Sequence, residues 1–414
     1  MRTELPEALL ATEAGREADA ILRSCVHCGF CTATCPTYQV LGDERDGPRG
    51  RISLIKEMLE RGEAGADTQT HLDRCLTCRA CETTCPSGVR YGRLLEIGRE
   101  RVEATVPRSR RERLLRALLL TFVPHPLRLA VPLRLGQWLR PLLPEALAAK
   151  VPPRPATRWR RTAMPGAERP RRVLLFRGCV QSLTTPETNA AASHVLARLG
   201  IRAREAAGAG CCGALPRHLS RTESARAMAQ RNVDALIPEL EAGAEAILST
   251  ASGCGVELKD YAELLKDDEA YAARAARVAA ATRDLSEFLL EEDLAAHVPE
   301  QASRRRIAWH SPCTLQHGQR VVGAVERILD ALGFQRVPVA EAHLCCGSAG
   351  TYSILQAELA TELRDRKVAA LTAKGPERIV TANVGCQLHI GGGTEVPVTH
   401  WIELVAERLA EADG

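Results

Sequence analysis

Sixteen cysteines divide without remainder into four groups of four. Cys25, Cys28, Cys31 and Cys35 form the first, and Cys75, Cys78, Cys81 and Cys85 the second. Cys179, Cys211, Cys212 and Cys254 form the third, and Cys313, Cys345, Cys346 and Cys386 the fourth. Sixteen in 414 residues is too dilute for a disulfide-stapled miniprotein. The opening MRTELPEALLATEAGREADA also has acidic residues where a secretion signal needs a basic and an apolar run. Thiols in such numbers, so grouped, point to metal or redox chemistry.

The first two groups share one spacing, C-x2-C-x2-C-x3-C-P, which is that of bacterial two-cluster ferredoxins. Two-residue gaps let a short loop wrap three thiolates around three corners of an iron–sulfur cube. The fourth cysteine serves the other cube, so the motif comes in pairs. The expected ligands are therefore Cys25, Cys28, Cys31 and Cys85 for one [4Fe–4S] cluster, and Cys75, Cys78, Cys81 and Cys35 for the other. Pro36 and Pro86 turn the chain away after each crossing ligand. A zinc ribbon also uses CxxC pairs, but has no use for a third cysteine followed by x3-Cys-Pro. His27 reads as a loop residue, since four cysteines are already supplied. The segment GPRGRISLIKEMLERG predicts a helix with Ile52, Ile55 and Leu59 on one face, packed over the clusters. Arg49 and Arg51 are candidates for placing positive charge near anionic clusters and raising their potentials.

The last two groups expose an internal repeat. Cys179 and Cys313 each stand 32 residues before a Cys-Cys-Gly triplet. A basic-then-apolar run precedes each, RRVLLFRGC and RRRIAWHSPC, and reads as a buried strand. Helical segments then end at Gly200 and Gly333, which suit the C′ position. Further apolar strands, AILST and RIVTA, lead to Cys254 and Cys386. This alternation predicts α/β modules with parallel sheets, their cysteines in loops at the carboxyl ends of strands. Gly213 and Gly347 suggest crowding or positive φ beside each cysteine pair. His310, three residues before Cys313, is a candidate for moving a proton or activating a thiol.

The expected fold class is α+β with α/β: a helical two-cluster ferredoxin-like domain over 1–98, then two repeated α/β modules over 172–298 and 299–414. A helical, Arg/Pro-rich connector over 99–171 joins them. Residues 152–172 of it carry five Pro and seven Arg, a semi-rigid composition. The stretch RERLLRALLLTFVPHPLRLAVPLRL reads first as amphipathic helices packed on a domain or a partner. Its second reading is a basic face against an anionic membrane surface. The longest apolar run, Leu114 to Val123, contains Arg116 and is about half the ~20 residues a bilayer span needs. A cytoplasmic chain, at most peripheral on the inner face of the cell membrane, is the expectation. The net charge of +4 and the few aromatics, 5 Phe, 5 Tyr and 4 Trp, argue against nucleic-acid binding. No GxGxxG follows a strand and no Walker-type loop occurs, and Gly391, Gly392 and Gly393 read as a turn. The expectation is therefore an electron-carrying chain, with flavin and substrate sites on partner subunits and no catalytic residue of its own.

The Cys-Cys-Gly triplets resemble the paired cysteine-rich (CCG) domains of heterodisulfide reductase subunits. Members of that family with a noncubane cluster close the motif with a further CxxC, whereas SGCG at 252–255 and NVGCQ at 383–387 offer one cysteine each. Reduced thiols, a sparser iron–sulfur cluster and a structural role all stay open for the eight module cysteines. Over residues 20–405, HCGFCTATCPTY, GPRGRISLIKE, HLDRCLTCRACETTCPSGVRYG, HSPC and CCGSAGTYS together resemble the glycolate oxidase (glycolate dehydrogenase) iron–sulfur subunit family. The resemblance implies partner subunits that carry FAD and oxidise glycolate to glyoxylate, with electrons passing through the ferredoxin cysteines to a quinone or another acceptor. The alternatives are the same subunit for lactate, another 2-hydroxyacid or glycerol 3-phosphate, or a thiol–disulfide enzyme working at the modules.

Overall fold

The computed structural model describes residues 1–142, 144, 151–155, 171–297 and 305–411. Most of the Pro/Arg stretch at 152–172 lies outside them. The N-terminal lobe is helical. Its central helix, Pro48–Arg61, starts on a proline at its first turn and stops at Gly62, whose φ of 76° supplies the left-handed cap. Ile52, Ile55 and Leu59 are buried on one face with Met58, in one core with Leu72, Leu94, Leu95, Cys25 and Cys75. The helix Tyr91–Thr105 runs unbroken past residue 98 and adds Val102 to that core, and Val106 just beyond the helix joins it.

Two four-stranded sheets follow, and every strand pair described is parallel. In the first module β1 (Arg171–Phe176), β2 (Ile201–Arg204), β3 (Ile247–Ser249) and β4 (Thr282–Asp284) lie in the order β2-β1-β3-β4. In the second, β5 (Arg306–His310), β6 (Gln335–Val337), β7 (Arg378–Thr381) and β8 (Val398–His400) repeat it as β6-β5-β7-β8. The order jumps at β1 and β5, and such switch points are where open parallel sheets leave a crevice beyond their strand ends. Gly200 and Gly333 follow helices Pro186–Arg198 and Ala324–Ala331, and both have φ of 77°.

The modules are not beads on a string. One hydrophobic core runs through both, joining Val173, Val195 and Leu248 to Ile307, Trp401 and Val405. Helix Pro186–Arg198 of the first module packs on helix Trp401–Ala410 of the second. His400 Nε2 meets the carbonyl of Thr250 at 2.8 Å, and Ser252 N–H donates to the carbonyl of Ala382 at 3.0 Å.

The connector forms two helices, Arg110–Phe122 and Pro126–Leu139. The first is tied to the ferredoxin-like lobe by Arg108 and Arg116, which pair with Asp73 at 2.6 and 3.4 Å. The outer faces are uncovered among the described residues. Leu114, Leu118 and Phe122 form an exposed stripe on one helix, and Leu127, Val131, Leu135 and Trp138 on the other. The first reading of this stretch is packing on a domain or a partner; packing on the chain's own domains is limited to the inner faces, where only Leu119 is buried among the described residues. No single helix among the described residues is long and apolar enough to cross a membrane; this pair, bent by 109°, meets the length and composition only together.

Candidate functional site

The two cysteine runs fold into matching loops. Cys25 and Cys75 each follow a helix, Glu13–Ser24 and Ala66–Asp73. Each loop then places two residues in the left-handed region, His27 and Gly29 in one, Thr77 and Arg79 in the other. Alternating handedness of this kind turns successive N–H groups inward, forming the nests that surround phosphate and iron–sulfur sites. Cys35 caps the helix Pro36–Leu41 and Cys85 ends the helix Ala80–Thr84.

The fourth cysteine of each run crosses to the other loop. One small cavity is lined by Cys25, Cys28, Cys31 and Cys85, and a second by Cys35, Cys75, Cys78 and Cys81, with Cys81 reaching both. Burial pushes the Cys31 thiol up to about 11 and those of Cys78 and Cys81 well above their ordinary value. Thiols held protonated this way become ligands only when a metal supplies the compensating charge. The donor set, four sulfurs round each cavity, fits an iron–sulfur cube.

Arginine surrounds these cavities unequally. Arg51 is 1% exposed and lies beside the second cavity. It donates to the His71 carbonyl at 2.7 Å, to Thr37 Oγ1 at 3.1 Å and to Cys35 Sγ at 3.9 Å, and pairs with Asp46 at 3.4 Å. Against the cost of burial, Cys75, Tyr91, Cys35 and Asp46 hold its proton firmly in place. Arg49 sits at the first cavity, paired with Glu44 at 2.6 Å and more than a third exposed. Of the two candidates, Arg51 is the desolvated cation and Arg49 the screened one. His27 lines the first cavity as a loop residue. Tyr91 Oη donates to Cys75 Sγ at 3.6 Å.

All eight module cysteines line a single central cavity of about 990 Å³, together with Cys78 of the ferredoxin-like lobe. Cys179 and Cys313 stand just beyond β1 and β5. Cys254 and Cys386 lie not in loops but in the first turns of helices Ser252–Lys259 and Val384–Gly391. Gly213 and Gly347 have φ of 96° and 89°, and a Cβ on Gly347 would sit 2.7 Å from the Ala360 carbonyl. Both observations explain why glycine follows each cysteine pair.

Sulfur approaches sulfur in each module, Cys179 to Cys211 at 3.5 Å, Cys313 to Cys345 at 3.7 Å and Cys346 to Cys386 at 3.3 Å. The two pairs differ electrostatically. Hydrogen bonds from Cys179 and Cys212, with the Gly213 N–H, pull Cys211 well down. Cys345 is pushed up, because Cys346 and burial outweigh the bond it accepts from Cys313. His310 is 2% exposed, and burial with Lys367 nearby holds it neutral, which removes it as a proton carrier at ordinary pH.

Residues 21–89 match the 4Fe–4S dicluster domain family, and 173–259 and 307–391 each match the cysteine-rich domain family. Over 99% of both chains the sequence is 52% identical to the glycolate oxidase iron–sulfur subunit of Escherichia coli (strain K12). The chain belongs to the glycolate oxidase iron–sulfur subunit family. The probable glycolate oxidase iron–sulfur subunit of Bacillus subtilis (strain 168) is 33% identical over 95% of this chain and 94% of that one. Lactate utilization protein A of an Exiguobacterium species is 26% identical, over 58% of this chain and 99% of that one. A crystal structure of a hypothetical protein from Helicobacter pylori shares the fold, with a TM-score of 0.56 at 9% identity over 97% of this chain and 76% of that one.

In this member of the glycolate oxidase iron–sulfur subunit family, the groups that lock the cluster lobe onto the modules gave no signal in the sequence. Arg217 bridges Glu96 of the lobe at 3.0 Å to Glu257 and Asp260 of the first module, each at 3.3 Å. Arg79, one residue after Cys78, pairs with Asp260 at 2.6 Å. Tyr352 Oη donates to the Arg74 carbonyl at 3.1 Å, and Thr83 meets His317 at 2.8 Å. Burial raises Glu257 to about 7 despite Arg217. These partners lie up to 278 residues apart, so no local motif announces them.

Proposed function

We propose that this chain is the electron-conducting subunit of a glycolate-oxidising complex, holding two [4Fe–4S] clusters between FAD on partner subunits and a quinone or another acceptor. Cys25, Cys28, Cys31 and Cys85 would hold one cluster, and Cys75, Cys78, Cys81 and Cys35 the other. Each cluster supplies one-electron redox chemistry. The observation that carries this reading is the pair of cysteine-lined cavities, which adjoin at Cys81. The first lies beneath a loop whose Val26 and Phe30 are 67% and 61% exposed and whose Cys28 is open to a partner. The second abuts the central cavity through Cys78. Cys81, which is buried, lines both cavities and so joins them inside the lobe.

Anaerobic purification is expected to give about eight iron and eight sulfide per chain. In the reconstituted complex, glycolate should bleach the cluster absorbance faster than lactate or glycerol 3-phosphate. Zinc in place of iron would end this reading, and preference for another substrate would move it to that substrate.

The acceptor side is assigned to the membrane surface. The exposed stripes of helices Arg110–Phe122 and Pro126–Leu139 carry Trp138 and are flanked by Arg110, Arg111, Arg113, Arg128, Arg134 and Arg140. An apolar face edged with arginine and tryptophan suits the headgroup region of anionic bilayers. The chain should co-sediment with vesicles containing anionic phospholipid, and Leu127→Glu with Leu135→Glu should reduce the bound fraction about ten-fold or more. Equal sedimentation of the variant would remove the membrane from the proposal.

A further inference from the structure

The two modules superpose in topology but differ at one strand end. β1 ends in Phe176, three residues before Cys179; β5 ends in His310, three residues before Cys313. We propose that this histidine makes the second module a mononuclear transition-metal site, in which His310, Cys346 and Cys386 hold one zinc-class divalent ion and the fourth position faces the central cavity.

One ring nitrogen of His310 and the sulfurs of Cys346 and Cys386 all lie within 4.8 Å of one another, and all three residues are buried. His310 Nε2 is buried with no hydrogen-bond partner. An unpaired nitrogen at such a site costs stability unless something binds it. One imidazole and two thiolates are the donors a borderline-soft ion prefers. Their charge also balances, since two thiolates, a neutral imidazole and a divalent cation sum to zero. A site of net zero charge is the kind a buried pocket accepts at least cost.

The surroundings orient the donors. Asn383 Nδ2 donates to Cys386 Sγ at 3.6 Å. Lys367, 3% exposed and near both sulfurs, is anchored by its bond to the Glu341 carbonyl at 2.7 Å. Cys346 and Cys386 line the central cavity while His310 lies behind its wall. An ion held by all three is therefore closed on the protein side and open on the cavity side. Three protein ligands with one position left for an incoming donor is the arrangement of reactive, not structural, zinc sites. The first module has phenylalanine where the nitrogen would be, so the site belongs to the second module alone.

The test uses the full chain, purified anaerobically with its iron in place. Elemental analysis should find about one zinc per chain beside the iron. Cobalt(II) exchanged into that position should show thiolate charge-transfer bands and the intense visible bands of a tetrahedral ion. His310→Phe, which copies the first module, should weaken metal retention more than about 100-fold while leaving iron unchanged. His310→Cys should retain cobalt with a shifted spectrum, as a third sulfur replaces nitrogen. The wild-type cobalt spectrum decides the matter even if His310→Phe folds poorly. Three results would overturn the proposal: no stoichiometric metal beyond iron, undiminished retention in His310→Phe, or iron beyond about eight per chain that disappears with His310. None of them bears on the ferredoxin cysteines, whose iron lies elsewhere in the chain.

Discussion

Replacing Cys85 by alanine is expected to remove the cluster proposed at Cys25, Cys28 and Cys31, fifty and more residues upstream, and to spare the one proposed at its own neighbours. Iron should fall from about eight to about four per chain, with the visible absorbance roughly halved. The reason is geometric. Cys85 ends the helix Ala80–Thr84 and lines the cavity of the first loop, whereas Cys75 and Cys78 line the other with Cys35. A second substitution separates crossing from local ligation. Cys28→Ala added to Cys85→Ala should cost no further iron, because both residues serve one site. Cys78→Ala added to Cys85→Ala should take iron to nearly none. Sites that share a function fail to add and independent sites do add, so the iron counts of the two double variants are diagnostic. The opposite pattern would show that each run ligates its own cluster.

Arg51→Met is expected to destabilise the ferredoxin-like lobe by about 3–5 kcal/mol, the usual cost of removing one partner of a buried ion pair. Asp46, fully buried, would keep only His71 at 2.9 Å and Arg74 at 3.0 Å, while the His71 carbonyl and Thr37 would lose their donor. Denaturant unfolding of the anaerobic protein measures the loss. Adding Asp46→Asn should recover part of it, since the stranded charge goes with the carboxylate. Arg51→Lys should recover less, because an ammonium cannot span donors aimed at a carbonyl, a hydroxyl and a carboxylate at once. Arg51→Met should also move the potential of a cluster held at Cys35 and Cys75 in the negative direction, with the other cluster little changed. An unshifted potential in a folded Arg51→Met protein would reduce Arg51 to a purely structural cation.

Much of the molecule was legible from residue spacing. Two cysteine runs of a few residues dictate loop geometry almost covalently, because two intervening residues leave few ways to present three sulfurs on one side. The stripe of Ile52, Ile55 and Leu59 and the glycines after the module helices, Gly200 and Gly333, are equally local. Their periodicity and backbone freedom act within one or two turns. The repeat of strand, cysteine, helix and cysteine pair by itself implies twin parallel sheets.

Tertiary structure alone decided what depends on distant surfaces meeting. The eight module cysteines face one cavity because helices Pro186–Arg198 and Trp401–Ala410 pack into a shared core, and hydrophobic pattern says that a face is buried, not against what. The apolar stripes of the connector read in sequence as a face for a domain, a partner or a lipid surface, and the fold leaves them off the chain's own domains, since the same pattern serves all three. Arg51 and Arg49 are two residues apart on one helix, yet one is desolvated and the other screened, because helical rotation turns them to different neighbours. His310 stands three residues before a cysteine in sequence, but Cys386 reaches it through the pairing of β5 with β7 and the helix that follows, and Cys346 from the segment after β6 on the other edge of β5. Spacing along a chain sets local ligand geometry; the approach of remote side chains is set by packing, which no single stretch encodes.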